Sequence, residues 1–169
     1  SSSTQSGSSA GDAGGNQGFV NRLWPHAVEA AHSLGVPPQF LVAHAALETG
    51  WGKSEIRTLS GQPSYNLFGV KAGRNWTGAS AEVFTTEYVN GEAMLVREKF
   101  RVYGSYSEAF QDYANLLKNS SRFSALVGQQ NGTQFARLLQ QGGYATDPAY
   151  ADKLDRIING ATLRQALSG

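Results

Sequence analysis

Apolar side chains recur at three- and four-residue spacings along most of this chain, a pattern that predicts α-helices. The spacing is found over 19–34, over 38–49, after Ser105, over 133–140 and again from Asp147. Pro25 should kink the first of these helices or start a second segment, because proline removes a helical hydrogen bond. Ser105 and Glu108 have the spacing of a capping box, and Asp147-Pro148 reads as a cap followed by a first-position proline. The fold is therefore predicted to be mainly helical.

The helix predicted over 38–49 has clear signals at both ends. Pro37 and Pro38 suit a helix start, where a missing N–H costs nothing, and Gly50 suits its end. Its inward-facing stripe is formed by Phe40, Leu41, His44, Ala45, Leu47 and Glu48. Glu48 thus lies in the last turn of a mostly apolar helix.

The helical period is lost over 54–81, where glycines and a proline indicate loops, and a β pattern follows. The runs 82–89 and 92–103 flank Asn90-Gly91, which is the strongest two-residue hairpin signal. A two-residue turn places Glu87 opposite Met94. Helices around a small hairpin lobe give an α+β, mainly α fold, with a cleft expected between the two lobes.

The first eighteen residues differ in composition from the rest. They consist of Ser, Gly, Gln and Ala with a Thr, an Asp and an Asn, and offer almost nothing to bury. We expect 1–18 to be a flexible linker and 19–169 to be the folded domain. The chain begins at Ser1 without a methionine, which favours a piece of a longer protein.

Composition excludes several classes of function. The net charge is +1 without a Lys/Arg cluster, so nothing favours nucleic acid. There is no cysteine, which excludes a thiol nucleophile, disulfides and thiolate metal sites. No apolar run is long enough to span a membrane. His26, His32 and His44 lack metal-ligand spacing, so we expect neither a metal nor a cofactor and interpret them as satisfied or surface histidines.

Glu48 is the strongest candidate for chemistry. The negative end of its helix dipole and the loss of water both disfavour the charged carboxylate. A carboxyl that stays protonated near neutral pH is what a general acid requires. Without other information, a glutamate here could equally border the core or pair with Lys53. The neighbouring Trp51 and its two flanking glycines favour the catalytic interpretation.

Glu87, near the tip of the hairpin, is the candidate second carboxylate. A carboxyl on a helix facing another on a hairpin is the arrangement that glycoside hydrolysis uses. Glu82, Glu92 and Glu98 are rivals on the same hairpin, and sequence cannot show which of them faces Glu48. Retaining, inverting and substrate-assisted mechanisms all remain open at this point.

Three motifs carry a family resemblance. They are Ala46-Leu47-Glu48-Thr49-Gly50-Trp51-Gly52, Asn66-Leu67-Phe68-Gly69-Val70-Lys71 and Tyr144-Ala145-Thr146-Asp147-Pro148-Ala149-Tyr150. In order and spacing they resemble the signature blocks of bacterial cell-wall N-acetylglucosaminidases, above all the peptidoglycan-hydrolase domains of flagellar rod-assembly proteins. The resemblance covers about 140 residues, from Phe19 to Asn159.

The resemblance implies a lysozyme-like fold and cleavage of β-1,4 bonds on the reducing side of N-acetylglucosamine in peptidoglycan. It puts Glu48 at the catalytic-acid position, Glu87 at the second carboxylate and Tyr144 at an assisting tyrosine. Trp51, Phe68 and Trp76 are candidates to stack on sugars, and Asn66 to bind an acetamido group or to cap its turn. Tyr150 is a further candidate for substrate binding. Trp51 could equally belong to the core, and Tyr144 could anchor the last helix.

The resemblance also implies a setting in the periplasm, at the bacterial cell wall. The hydrolase would open the wall for flagellar rod assembly, and rod proteins would be contacted through an N-terminal domain outside this sequence. The alternatives are a muramidase or lytic transglycosylase with the same fold, and a non-catalytic module that binds peptidoglycan. Retention of Glu48 favours an enzyme.

Overall fold

The computed structural model describes the backbone of residues 2–169 and the side chains of residues 14–169. The elements in this part of the chain are α1 (Ser2–Leu34), α2 (Pro38–Thr49), β1 (Ser80–Val89), β2 (Glu92–Arg101), α3 (Tyr106–Asn119), a 3-10 helix (Ser121–Leu126), α4 (Gly132–Gln141), α5 (Tyr150–Ile158) and α6 (Ala161–Ser168). The predicted α+β, mainly helical architecture is confirmed. None of the helices described is long and apolar enough to cross a membrane.

Helix α2 lies at the centre of the helical lobe and has the predicted bounds. Pro38 occupies its first turn, and Gly50 ends it in a left-handed conformation with φ of 58°. Leu41, Val42, Ala43 and Ala45 are fully buried, because α1 packs on one side of α2 and α5 on another. The last turn of α2 therefore presents Glu48 at the edge of a rigid core.

Helix α1 differs from the prediction at both its start and its middle. It is continuous through Pro25, where a second segment was one of the two expectations, and it begins at Ser2 instead of near Phe19. Among the side chains described, from residue 14 onward, the first buried ones in α1 are Phe19 and Val20. Most of the expected 1–18 linker lies outside the residues whose side chains are described, and the division into linker and domain stays a prediction.

The hairpin has the predicted turn and register. Asn90 and Gly91 both have positive φ, 53° and 82°, as a type I′ turn requires. Glu87 pairs with Met94. Strand β2 ends two residues earlier than expected, at Arg101, where the chain leaves the ladder and the Tyr103 N–H donates to the Ser64 carbonyl at 2.8 Å.

Two contacts fix the base of the hairpin to the helical lobe. The Arg101 guanidinium lies 2.8 Å from a carboxylate oxygen of Asp112 in α3, and the Tyr103 hydroxyl donates to the same oxygen at 2.5 Å. The Arg101 N–H also donates to the Val70 carbonyl at 3.0 Å. The hairpin therefore rises from α3 and the 66–71 loop as one wall of a cleft.

The C-terminal helices were predicted only in part. The Ser105 hydroxyl accepts from the Glu108 N–H at 3.1 Å, as half of a capping box. Helix α5 begins at Tyr150 rather than at Asp147, because the Asp147 carboxylate accepts from the Ala149 N–H at 2.8 Å and holds a turn before the helix. The 3-10 helix and α6 were not predicted, since each is too short to show a clear period.

Candidate active site

The cleft between the hairpin and the helical lobe has a volume of about 840 Å³, within the usual range for ligand sites. Glu48, Glu87 and Tyr144 all line it. The structure therefore brings the two predicted carboxylates, one from α2 and one from β1, to the same cleft.

Glu48 has the environment of a general acid. Its side chain is 23% exposed, and burial raises its pKa to about 7. The Tyr150 hydroxyl, which donates to Glu48 Oε2 at 2.5 Å, opposes this rise, and the negative charge of Glu87 adds to it. At neutral pH a large fraction of Glu48 thus carries the proton that an acid catalyst must deliver.

Gly69 makes room for the other oxygen of Glu48. Its backbone is left-handed, with φ of 61°, and a Cβ at this position would lie 2.8 Å from Glu48 Oε1. Any side chain would meet both the unfavourable backbone and the carboxyl. The glycine lets the 66–71 loop close against the acid, and Gly69 itself lines the cleft.

Glu87 is held by a cation and a hydroxyl. Lys71 Nζ lies 3.2 Å from Glu87 Oε2, and the Thr146 hydroxyl donates to Glu87 Oε1 at 2.9 Å. The Thr146 oxygen also accepts from the Tyr88 N–H at 2.9 Å. Thr146 precedes α5, so these bonds tie the tip of the hairpin to the helical lobe across the cleft.

His44 lies one turn before Glu48 on α2 and is fully buried. Its ring nitrogens are hydrogen-bonded to two hydroxyls, Nδ1 to that of Tyr113 at 2.6 Å and Nε2 to that of Tyr150. Burial lowers the His44 pKa to about 3. The ring is therefore neutral at neutral pH, and its 3.8 Å approach to Glu48 Oε2 is not an ion pair. His44 is a satisfied histidine, as the sequence favoured.

Comparison with known proteins decides the family. Residues 24–163 match the Glucosaminidase family model, described as mannosyl-glycoprotein endo-beta-N-acetylglucosaminidase. The chain belongs to the glucosaminidase family. It is 50% identical over 145 residues to Peptidoglycan hydrolase FlgJ of Escherichia coli K12, covering 86% of this chain and 46% of that protein. The chain thus spans just under half the length of this curated relative.

Solved structures agree with this assignment. A mutant peptidoglycan hydrolase from Sphingomonas sp. A1 has a TM-score of 0.88 and 60% identity, covering 90% of this chain and 98% of that one. A C-terminally truncated glycoside hydrolase domain of Salmonella typhimurium FlgJ has a TM-score of 0.70 and 48% identity, covering 85% and 95%. The fold expected from the family resemblance, a lysozyme-like glycoside hydrolase domain, is confirmed.

Three aromatic residues expected to stack on sugars are not among the residues that line the cleft of this glucosaminidase domain, and burial of Phe68 corrects the prediction for that residue. Phe68 is 1% exposed and stacks on Tyr113 in the core, with ring centroids 3.8 Å apart. Trp51 packs on Phe19 with ring centroids 6.1 Å apart, as the alternative of a core position expected. Trp76 lies under the Arg101 guanidinium and donates to the Ala79 carbonyl at 2.8 Å.

Asn66 lines the cleft, but its side-chain amide makes three hydrogen bonds to the backbone. It donates to the carbonyls of Val70 and Arg101 at 2.8 and 2.9 Å and accepts from the Val70 N–H at 3.0 Å. Both N–H donors are therefore used, and among the hydrogen-bonding directions of the amide one lone pair of Oδ1 is left. Asn66 holds the 66–71 loop, as the turn-capping alternative expected, and its binding of an acetamido group stays a prediction.

The hydroxyls of the two tyrosines in the third motif are also hydrogen-bonded to groups of the protein. Tyr150 also lines the cleft, but it is 5% exposed and its hydroxyl is hydrogen-bonded to Glu48 and His44, so the substrate contact expected for it stays a prediction. Tyr144 lines the cleft, but its hydroxyl donates to the Phe68 carbonyl at 2.6 Å. The assisting role expected for Tyr144 stays a prediction.

Sequence reasoning missed three contributors to the site. Lys71 was part of a quoted motif, but its pairing with Glu87 depends on the fold. Thr146 contacts Glu87 from 59 positions away, a distance that no local pattern reports. Tyr113 contacts His44 from 69 positions away, again through the fold. His44 had one usable signal, since positions i and i+4 share a helix face with Glu48.

Proposed function

We propose that this chain hydrolyses the β-1,4 glycosidic bonds of peptidoglycan as an endo-acting N-acetylglucosaminidase, with Glu48 as its general acid. The observation that carries the proposal is the carboxyl of Glu48, partly buried in a cleft with a pKa near 7 and accompanied by a second carboxylate. The relatives named peptidoglycan hydrolases and the family match support the same bond and substrate class.

In the proposed reaction, Glu48 gives its proton to the glycosidic oxygen as the bond to C1 breaks. The developing positive charge at C1 is offset by the carboxylate of Glu87, which also orients the attacking water. The water adds its oxygen to C1 and gives its proton to the Glu87 carboxylate, and the glycan is left with a new reducing end. Lys71 and Thr146 hold the Glu87 carboxylate for this task.

The test is digestion of purified peptidoglycan by the parent chain and by Glu48→Gln, with fragments identified by mass spectrometry. We expect new reducing ends on N-acetylglucosamine from the parent, and a rate lower by about 10²–10⁴-fold in the variant. Glu92→Gln, at the exposed start of β2, controls for the loss of one carboxylate.

The products separate the alternatives. Ends on N-acetylmuramic acid would make the chain a muramidase, and anhydro ends would make it a lytic transglycosylase. No release by the parent, with the chain still retained on the wall, would make it a binding module and contradict the proposal.

We further propose that this hydrolase acts in the periplasm and opens the wall for assembly of the flagellar rod. The identity to FlgJ supports this setting, and the shorter span leaves about half of such a protein to carry contacts with rod components. Restoration of swimming by the parent sequence, but not by Glu48→Gln, in a strain whose own hydrolase domain is inactivated would test it. Equal restoration by both would contradict it.

A further inference from the structure

An unbroken row of hydrogen bonds runs from the cleft into the helical lobe. It links Glu48 Oε2, the Tyr150 hydroxyl, the two nitrogens of His44 and the Tyr113 hydroxyl. We call it the Tyr113–Glu48 chain. Its members come from α2, α3 and α5, and its three inner residues are at most 5% exposed. The buried polar atoms of these residues therefore have to find their hydrogen-bond partners within the protein.

The Tyr113 hydroxyl, at the inner end of the Tyr113–Glu48 chain, decides which atom donates in each of its hydrogen bonds. Tyr113 Oη has no other hydrogen-bond partner among residues 14–169, so its hydrogen can only go to His44 Nδ1. A neutral imidazole that accepts at Nδ1 carries its hydrogen on Nε2. His44 Nε2 therefore donates to the Tyr150 oxygen, and the Tyr150 hydrogen is left for Glu48 Oε2.

This order decides which oxygen of Glu48 is free to carry the acidic proton. Oε2 is already an acceptor from Tyr150, whereas Oε1 lies against Gly69 on the wall of the cleft. We propose that His44 and Tyr113, acting through Tyr150, are positioning residues that keep the acidic proton of Glu48 on Oε1, facing the substrate. The proposal rests on the role of Glu48 as general acid.

If the order were reversed, the acid would be misdirected. Tyr150 would donate to His44 Nε2, and a proton on Glu48 Oε2 would point at the Tyr150 oxygen, away from the cleft. The reversed order would also leave the buried Tyr113 hydrogen without an acceptor, which is costly. Tyr113 thus fixes the tautomer of His44 and the order of donors, although it does not touch Glu48; we call this its lock on the Tyr113–Glu48 chain.

Other groups around Glu48 also bear on its proton. The titratable groups facing it are His44 on its own helix, Tyr113 of α3, Tyr144 before α5, Tyr150 of α5, and Glu87 of β1 with its partner Lys71. Burial raises the pKa of all three tyrosines well above the usual value, so each is a hydrogen donor at working pH. Glu87 and Lys71 remain in every variant below.

The sharpest variant is Tyr113→Phe, which removes one oxygen at the far end of the chain. Without the lock His44 can take either tautomer, and Tyr150 no longer always donates to Glu48. We expect kcat on peptidoglycan to fall about 3–10-fold with KM unchanged. Because the ionised carboxylate loses a donor, its pKa rises and the basic limb of the kcat profile moves to higher pH.

The sign of that movement separates positioning from structural damage. A loosened site would admit water and move the limb to lower pH. The matched control is Tyr103→Phe, which removes a buried hydroxyl that donates to Asp112 outside the chain, and its limb should stay at the parent pH. A Tyr113→Phe limb that stays put or moves down would overturn the proposal.

Substitution of His44 provides a second test. Glutamine can both donate to Tyr150 and accept from Tyr113, whereas leucine can do neither. We expect His44→Gln to retain more of the parent kcat than His44→Leu, because leucine leaves the Tyr113 hydroxyl without an acceptor and the Tyr150 oxygen without a donor. Equal losses of kcat in the two variants would contradict the proposal.

A measurement independent of activity completes the test. Nitrogen-15 NMR of the His44 ring should show a protonated Nε2 and a bare Nδ1 in the parent between pH 5 and 8. In Tyr113→Phe the chemical shifts of the two ring nitrogens should move toward each other, as expected when both tautomers are populated. A protonated Nδ1 in the parent would overturn the donor order even if peptidoglycan were not cleaved, while failure of cleavage alone would refute only the proposed function.

Discussion

Replacing Glu48 by glutamine should stabilise the protein at alkaline pH. The folded-state pKa is about 7 against an ordinary 4.5, so ionisation of this carboxyl in the folded protein is disfavoured. The difference of 7 − 4.5 is about 2.5 units, and each unit corresponds to about 1.4 kcal/mol, which gives about 3 kcal/mol. Glutamine keeps an acceptor for the Tyr150 hydroxyl and never ionises.

The pH window follows from the sign of the shift. Between about 4.5 and 7 the folded state binds more protons at Glu48 than the unfolded state does, so stability falls as pH rises through this window. Below this window the unfolding free energies of the parent and of Glu48→Gln differ by an amount that does not depend on pH. Above it the variant should gain up to about 3 kcal/mol relative to that amount. His44 contributes its own pH dependence, with a lowered pKa, but it is present in both proteins and drops out of the difference.

The assay is urea denaturation of parent and variant at pH 4, 5, 6, 7 and 8, with the difference in unfolding free energy plotted against pH. Glu92→Gln serves as control for removal of an exposed carboxylate. A Glu48→Gln difference that is flat over this range, or that decreases with pH, would refute the assignment of a raised pKa to Glu48. It would also remove the main physical support for its role as the acid.

The remaining predictions concern residues that position the two carboxylates. Gly69→Ala should lower kcat at least 10-fold and cost about 1–2 kcal/mol of stability, because its Cβ meets Glu48 Oε1 from a left-handed backbone; kinetics and urea denaturation check this. Thr146→Val should lower kcat about 5-fold by freeing Glu87, while Thr146→Ser should not. Asn66→Ala should destabilise by about 2–4 kcal/mol, since three buried hydrogen bonds are lost, and calorimetry would measure it.

The elements predicted most accurately had signals at both ends. Helix α2 was delimited by a proline that suits a helix start and by a glycine that suits its end, and its bounds agree with the structure. The hairpin register followed from Asn90-Gly91 because a two-residue turn leaves no freedom in the pairing. At Asp147-Pro148 the cap and proline signals predicted a helix start earlier than the observed one at Tyr150, because the Asp147 carboxylate holds a turn there instead.

Of the predicted site residues, both carboxylates line the cleft, whereas the three aromatic residues expected to stack on sugars do not. Glu48 could be singled out because it lies in the last turn of an apolar helix beside Trp51 and two glycines. Phe68 and Trp51 could not be assigned to core or cleft, since an aromatic residue in a loop has no period to show which way it faces. Both pack in the helical lobe, where burial of a large apolar ring is most favourable.

The two carboxylates of the cleft differ in their partners, and this difference supports the roles proposed for them. The hydrogen bond and the close approach recorded for Glu48 within residues 14–169 are to neutral groups, the hydroxyl of Tyr150 and the uncharged ring of His44. Glu87 lies beside the Lys71 ammonium, and its negative charge in turn disfavours ionisation of Glu48. A single proton supplied to the pair therefore belongs on Glu48, which is the division between acid and carboxylate that glycoside hydrolysis requires. Exchanging the partners, with a cation beside Glu48 in place of Tyr150, would abolish that division without removing either carboxyl.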